Sequence, residues 1–261
     1  MKALYIASTG MAAQERNVEV ISNNIANMRT TGYKKQRVDF QDLLYQQYLR
    51  AGSQTSDTGS VSPIGIEVGS GVRAAATPRV MSQGTVTQTE KELDVAVDGE
   101  GMFGIQLPDG RTAYTRDGSF ERNGDGLLVN SSGYQVQPGV TIPENATNVS
   151  ISSDGIVQAY IGTATTPTQL GQLQLYRFVN KEGLQSIGDN NFVESAASGA
   201  AQAGVPNTDG AGKVMQGYLE EANVNPVTEI ADLIAAQRAY EMNSRVIQGA
   251  DEMLSSVSQM R

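Results

Sequence analysis

Cysteine, histidine and tryptophan are missing from this chain, and the first two absences each remove a class of chemistry. Without cysteine there is neither a disulfide framework nor a thiolate metal site, and any redox compartment is permitted. Without histidine the commonest side-chain acid and base is gone, together with most remaining zinc sites. A hydrolase working with carboxylates alone is formally left open. The spacing of the acids gives it no support, because Glu220 and Glu221 are sequence neighbours and read as a solvated pair. A non-enzyme is therefore expected, with no catalytic, cofactor-binding or metal-binding residue and no cofactor.

Positive charge is scarce as well. Nineteen Lys and Arg stand against 28 Asp and Glu, a net charge of −9. Nucleic acid needs a basic face, so it is not an expected partner. No stretch approaches the roughly 20 apolar residues that span a bilayer, so no membrane insertion is expected. "MKALYIASTGMAA" superficially resembles a secretory signal, but its apolar run, Ala3 to Ala7, is shorter than the ~7–15 residues usual there. The pattern also continues in phase, so this segment reads as part of the mature protein. Five Phe and 39% hydrophobic residues over 261 positions make a lean core. Some apolar surface is expected to be buried against something else.

What is present is arranged by position. Leu4, Met11, Val18 and Ile25 recur every seven residues, with Ala7, Gln14, Ile21 and Met28 three further on, an a/d seam. The other end repeats it: Leu233, Tyr240, Ile247 and Leu254 form one line, and Ala236, Asn243, Ala250 and Val257 the second. Asn225 followed by Pro226 is a helix start, with Glu229 favourable in the first turn. The predicted fold is α+β, with N- and C-terminal helices (1–32 and 222–261) paired as a coiled coil. A connecting region runs over 33–80 and a mainly antiparallel β domain over 81–221. Residues 36–49 suit a short helix or a strand, and the Gly/Ser/Thr-rich stretch after them suits an extended insertion. Asp-Gly pairs at 98–99, 109–110, 117–118, 125–126 and 154–155 punctuate alternating runs, as hairpins require.

Two motifs fail on context. "GEGMFG", residues 99–104, matches a dinucleotide fingerprint but continues as strand and turn rather than opening a helix. "DGSFERNGDG" lacks the spacing and closing Glu of a calcium loop. The asparagines at the end of the first helix carry more. Asn23, Asn24 and Asn27 are poor helix formers. The heptad places Asn23 and Asn27 away from the seam and Asn24 on its flank. Amides there suit a surface that meets another protein, since they donate and accept without a charge to desolvate. The blander reading is that they fray the helix before Gly32, and that the heptads close within one monomer as a stalk.

"SNNIANMRTTGYKKQRVDF" resembles the N-terminal signature of bacterial flagellar axial proteins, the rod and hook family. "GYLEEANVNPVTEIADLIAAQRAYEMNSRVIQGADEML" is similar to that family's closing helix, and "DVAVDGEGMFGIQLPDGRTAYTRDGSF" to its β region. The length and an insertion at about 46–68 most resemble the distal rod. The resemblance implies a structural subunit that polymerises helically into a hollow, stiff drive shaft, the helices lining the inner tube and the β domain outside. Implied partners are further copies, proximal rod proteins, hook protein, the outer-membrane and peptidoglycan ring proteins that act as a bushing, and the type III export apparatus. The implied location is the basal-body rod across the periplasm, reached without signal cleavage. Subunit-interface residues are then expected at Asn23, Asn24, Ile25, Asn27, Gly32 and Tyr33, and at Asn223, Asn225, Gln237, Arg238 and Tyr240. The coiled-coil seam is expected at Leu4, Met11, Val18, Ile21, Leu233, Ile247 and Leu254. A proximal rod or hook subunit, or a secreted binding module on a coiled-coil stalk, remain the alternatives.

Overall fold

The computed structural model describes residues 2–52, 63–162, 164 and 166–259. The fold is α+β, one long helix at each end with mainly antiparallel strands between. The chain forms two compact units. The first comprises Met1–Ile25, Gln36–Pro78 and Asn225–Arg261, and the second Ala26–Lys35 and Arg79–Val224.

The first unit holds the helices α1 (Lys2–Ala26) and α2 (Pro226–Gln259). Asn225 caps α2: its side-chain oxygen accepts from the backbone N–H of Val227 at 3.0 Å and Thr228 at 3.4 Å, and Pro226 occupies the first helical position, where no donor is lost. The helices touch at two levels. Asn24 donates to Glu229, and the space where Gly10 would carry a Cβ is filled by the Asn243 amide. Going back from Asn24 to Gly10 and forward from Glu229 to Asn243 covers the same fourteen residues, four helical turns, so the two helices run antiparallel.

Burial on α1 follows the second of the two expected lines, at Ala7 and Ile21, more than the first. Ala7, Ala13, Val20, Ile21 and Asn24 are buried, whereas Leu4, Met11, Val18 and Ile25 are half-buried. Gly10 leaves room for the Asn243 side chain of α2. A second neighbour also pulls the helix round: Thr9 Oγ1 accepts from Val72 N–H and Lys2 reaches Gln46. A helix covered on two sides presents a wider face than a narrow a/d seam. On α2, Ala236 and Ala250 are buried, Leu233 and Ile247 half-buried, and Tyr240 and Leu254 exposed. Val257 lies outside the described side chains.

Residues 36–49 are strand rather than helix. Asp39–Asp42 pairs with Val72–Ala76, and Gln46–Leu49 with Ile66–Val68. Each backbone finds its hydrogen bonds across the ribbon, in a partner 17 to 37 residues away. The middle of the expected insertion, 53–62, lies outside the described residues.

The second unit is built round a nine-stranded antiparallel sheet with Met102–Gln106 near its centre. Its Asp-Gly turns close the hairpins 102–106/112–115, 121–122/128–129 and 146–151/156–161. Gly99-Glu100-Gly101 leads directly into the strand, as the failed fingerprint requires. Met102–Gln106 is covered on both faces. Phe103 packs on Phe120 edge to face at 5.0 Å in the main core. Met102 joins Tyr114, Phe178, Leu184 and Phe192 in a second cluster. Gly118 is needed for contact, not for a turn angle, since a Cβ there would collide with the Val95 carbonyl.

Candidate subunit interface

The asparagines singled out in the sequence divide into clamps and surface residues. Asn24 is the clamp of the first unit. Its side-chain oxygen accepts from Gln36 N–H at 2.9 Å, and its amide donates to the Gln36 carbonyl at 2.8 Å and to Glu229 at 3.1 Å. The side chain thus holds one peptide as a neighbouring strand would, and joins it to the start of α2. Asn24 is 2% exposed. Asn223 does the same in the second unit. It accepts from Lys35 N–H at 2.8 Å and donates to the carbonyls of Val80 at 2.7 Å and Ser82 at 3.1 Å.

Asn27 accepts from the Thr30 hydroxyl at the frayed end of α1, in the second unit. Tyr33 is buried and Ile25 half-buried. Gly32 has φ +68° and donates to the Glu220 carbonyl at 2.8 Å. A Cβ there would sit 2.6 Å from Asp117 N, so both conformation and space demand glycine. Asn23, Asn225, Gln237, Arg238 and Tyr240 stand exposed.

Sequence reasoning missed the charge cluster beside Gly32. Glu220 was expected in solvent with Glu221; the structure buries it. One carboxylate oxygen accepts from Lys34 and from Gly84 N–H at 2.8 Å. The other faces Arg116 Nε at 3.2 Å, a charge contact without hydrogen-bond alignment. Arg116 also donates to the carbonyls of Gly99 and Gly101, each at 2.7 Å. Burial lowers the Lys34 pKa, opposed by Glu220. The only signal available was an oddly placed Lys34 in "GYKKQ", which does not reveal a partner 186 residues away.

Large apolar side chains are exposed on two surfaces. On α2, Val227, Ile230, Ile234, Met242, Val246 and Met253 are exposed; helical spacing sets the first three opposite Ala236, whereas Val246 and Met253, four and three residues from Ala250, border the buried side. On the ribbon, Leu44, Tyr45, Tyr48, Ile64 and Ile66 are exposed, Leu44 at 88%. Patches of this kind on a folded chain mark interaction surfaces. Among the described residues no group of three or more His, Cys, Asp or Glu could hold a metal ion, and no helix is long and apolar enough to cross a membrane.

Comparison with known proteins agrees over the whole length. Residues 4–34 match the family model for the flagella basal body rod protein, 96–159 that for the flagellar hook protein FlgE/F/G D1 domain, and 215–260 that for the flagellar basal body rod FlgEFG protein C-terminal. The flagellar basal-body rod protein FlgG of Caulobacter vibrioides is 54% identical, covering 100% of both chains. FlgG of Agrobacterium fabrum is 50% identical over 99% of this chain and 98% of its own. FlgG of Bacillus subtilis is 35% identical over 100% and 99%.

Proposed function

The chain belongs to the family of flagellar basal-body rod proteins, and from that premise we propose that it polymerises helically with its own kind into the distal rod. The role is structural rather than catalytic. The observation that carries this reading is the second apolar face of α2. A helix that had finished folding within one chain would carry polar residues there. Burying a side chain such as Ile or Met is worth roughly 1.5–3 kcal/mol. Several along one helix supply a driving force that only a further copy can realise.

In this reading α1 and α2 pair as a coiled coil that lines the inner tube, and the mainly β unit forms the outer one. The segment at about 46–68, whose described strands Gln46–Leu49 and Ile66–Val68 expose Tyr48 and Ile66, meets adjacent copies and stiffens the shaft. The expected surface residues Asn23, Asn225, Gln237, Arg238 and Tyr240 take part in contacts between copies. Asn24 and Asn223 serve the interface indirectly, by fixing the chain on which it is built. Proximal rod, hook and ring proteins adjoin the polymer, and the chain arrives through the type III export apparatus without signal cleavage.

Sedimentation of the purified chain over a concentration series tests the polymer. Assembly should rise steeply with concentration. Ile234→Glu should change monomer stability by less than about 0.5 kcal/mol, as surface substitutions do, yet raise the concentration needed for assembly at least about tenfold. A chain that stays monomeric at all concentrations would favour the stalked binding module.

A further inference from the structure

The stretch that fails as a calcium loop holds the one Asn-Gly pair of the chain, Asn123-Gly124. The backbone nitrogen that follows an asparagine can attack the side-chain amide carbon, and glycine puts no side chain in the way. Two features of the turn keep that step open. Gly124 is exposed, and its N–H makes no hydrogen bond among the described residues. Asn123 Oδ1 accepts from the backbone N–H of Asp125 at 3.0 Å and of Leu127 at 2.8 Å. Oδ1 is the atom that turns negative as the ring closes, and two backbone donors at such distances stabilise an oxyanion. The Asp-Gly pairs are worse placed. The N–H groups of Gly110, Gly126 and Gly155 are tied to carbonyls, and an ionised carboxylate is a poor electrophile. The fold also supplies a control at Asn130. Its Oδ1 accepts from Ser132 N–H at 3.1 Å and Tyr134 N–H at 2.8 Å. In both turns the asparagine N–H donates to the carbonyl four residues on, and a glycine N–H returns to the asparagine carbonyl. At the attacking position the turns differ, since Ser131 carries a side chain where Gly124 has none.

We propose that Asn123 is a self-modification site, converting spontaneously in the folded chain to aspartate and isoaspartate in preference to the other asparagines. Hydroxide takes the Gly124 N–H proton, the nitrogen bonds to Asn123 Cγ, and the Cγ–Nδ2 bond breaks to release ammonia. Water then opens the five-membered imide, so one water is consumed for each ammonia released. Opening at the original backbone carbonyl leaves isoaspartate, which routes the main chain through Cγ and lengthens it by one carbon. That insertion falls next to the pairing of Arg122 with Leu128 and loosens the hairpin.

The full chain, folded and dilute, is incubated at mildly alkaline pH, and its peptides are assayed by mass spectrometry for aspartate and isoaspartate. Conversion at Asn123 should rise in proportion to hydroxide and outpace Asn130 at least about tenfold. Gly124→Ala should slow it by about the same factor without disturbing the fold, because an added Cβ there meets nothing within 4 Å. Ser131→Gly should do the reverse and bring Asn130 up towards the rate of Asn123. Equal rates at Asn123 and Asn130, or conversion at Asn123 only once the chain is denatured, would overturn the site. So would a Gly124→Ala chain that converts as fast as the unaltered one. An Asn130 that stays inert in Ser131→Gly would show that the two-donor turn does not support the reaction, and would overturn the part assigned to Asp125 and Leu127.

Discussion

Phe103, Ile105, Val136 and Leu175 in the second unit expose no surface, whereas Val227, Ile230, Ile234 and Met242 on α2 in the first unit stand in solvent. The two regions bury apolar side chains by different routes. The central strand Met102–Gln106 sends alternate side chains into two clusters, so both its faces are covered within the chain. The helices have one face for each other, and α2 has further apolar side chains that stay exposed among the described residues. One unit covers its apolar side chains within itself, and the other leaves several of them exposed. Ion pairs differ between the units as well, although the first unit also buries the Asn24–Glu229 contact. In the second unit a charged triad is sealed at the core, whereas the ion pair Arg16–Glu19 on α1 lies in water.

The largest expected effect tests whether that seal matters. Glu220→Gln keeps the shape and removes the charge, leaving Lys34 and Arg116 buried with their positive charges uncompensated. Breaking such a group from one side costs about 3–5 kcal/mol. Chemical denaturation should show the whole loss in the second unit, with helical content at α1 and α2 unchanged in hydrogen exchange. A loss below about 1 kcal/mol would mean that water reaches the cluster and that the two units differ less than their burial indicates.

Next in size is the corresponding clamp of the first unit. Asn24→Ala deletes three hydrogen bonds that join Gln36 to the start of α2. About 1–3 kcal/mol should be lost there, read as faster amide exchange at the end of α1 and the first turn of α2. Asn24→Asp should cost more, because it sets a second carboxylate against Glu229. If both substitutions are silent in the dilute chain but impair assembly, Asn24 acts chiefly between copies.

What could be read from the sequence follows the range of the interactions. The ends of the chain carry periodic patterns long enough to fix two helices, and the Asn225-Pro226 start was legible because a cap involves residues two and three apart. The Asp-Gly turns were legible for the same reason. Residues 36–49 were not resolved into strands, since the partners Ile66–Val68 and Val72–Ala76 lie beyond any local window. The second neighbour of α1 was hidden because the heptad records one and the helix has two. Glu220 was misplaced by the same cause: its environment is made by Lys34 and Arg116, both remote in sequence. Of the candidate interface, residue identities were visible at Asn24 and Asn223, but their partners within the chain were not.

The smallest effect comes from tyrosines, and it sharpens the comparison by pH. Tyr114 in the second cluster donates to Glu194 at 2.7 Å. Burial first, and then the carboxylate beside it, hold its pKa well above the ordinary 10.0; burial alone raises Tyr176 nearby. A raised folded pKa means the stability is fully present below pH 10 and is lost as pH climbs past it, because the unfolded phenol ionises first. Each such tyrosine can contribute a slope of up to ~1.4 kcal/mol per pH unit. In the first unit Tyr45 is also raised, by its hydrogen bond to Asp42, but it is exposed and solvent screens the contribution. Denaturant midpoints measured at pH 7 and again above pH 10 should therefore fall for the second unit and hardly move for the first. Tyr114→Phe should cost about 1 kcal/mol at pH 7 and flatten the alkaline fall, leaving the part due to Tyr176. Equal alkaline slopes in the two units would show that their tyrosines share one environment, and the contrast between a sealed and an open unit would then rest on the apolar side chains alone.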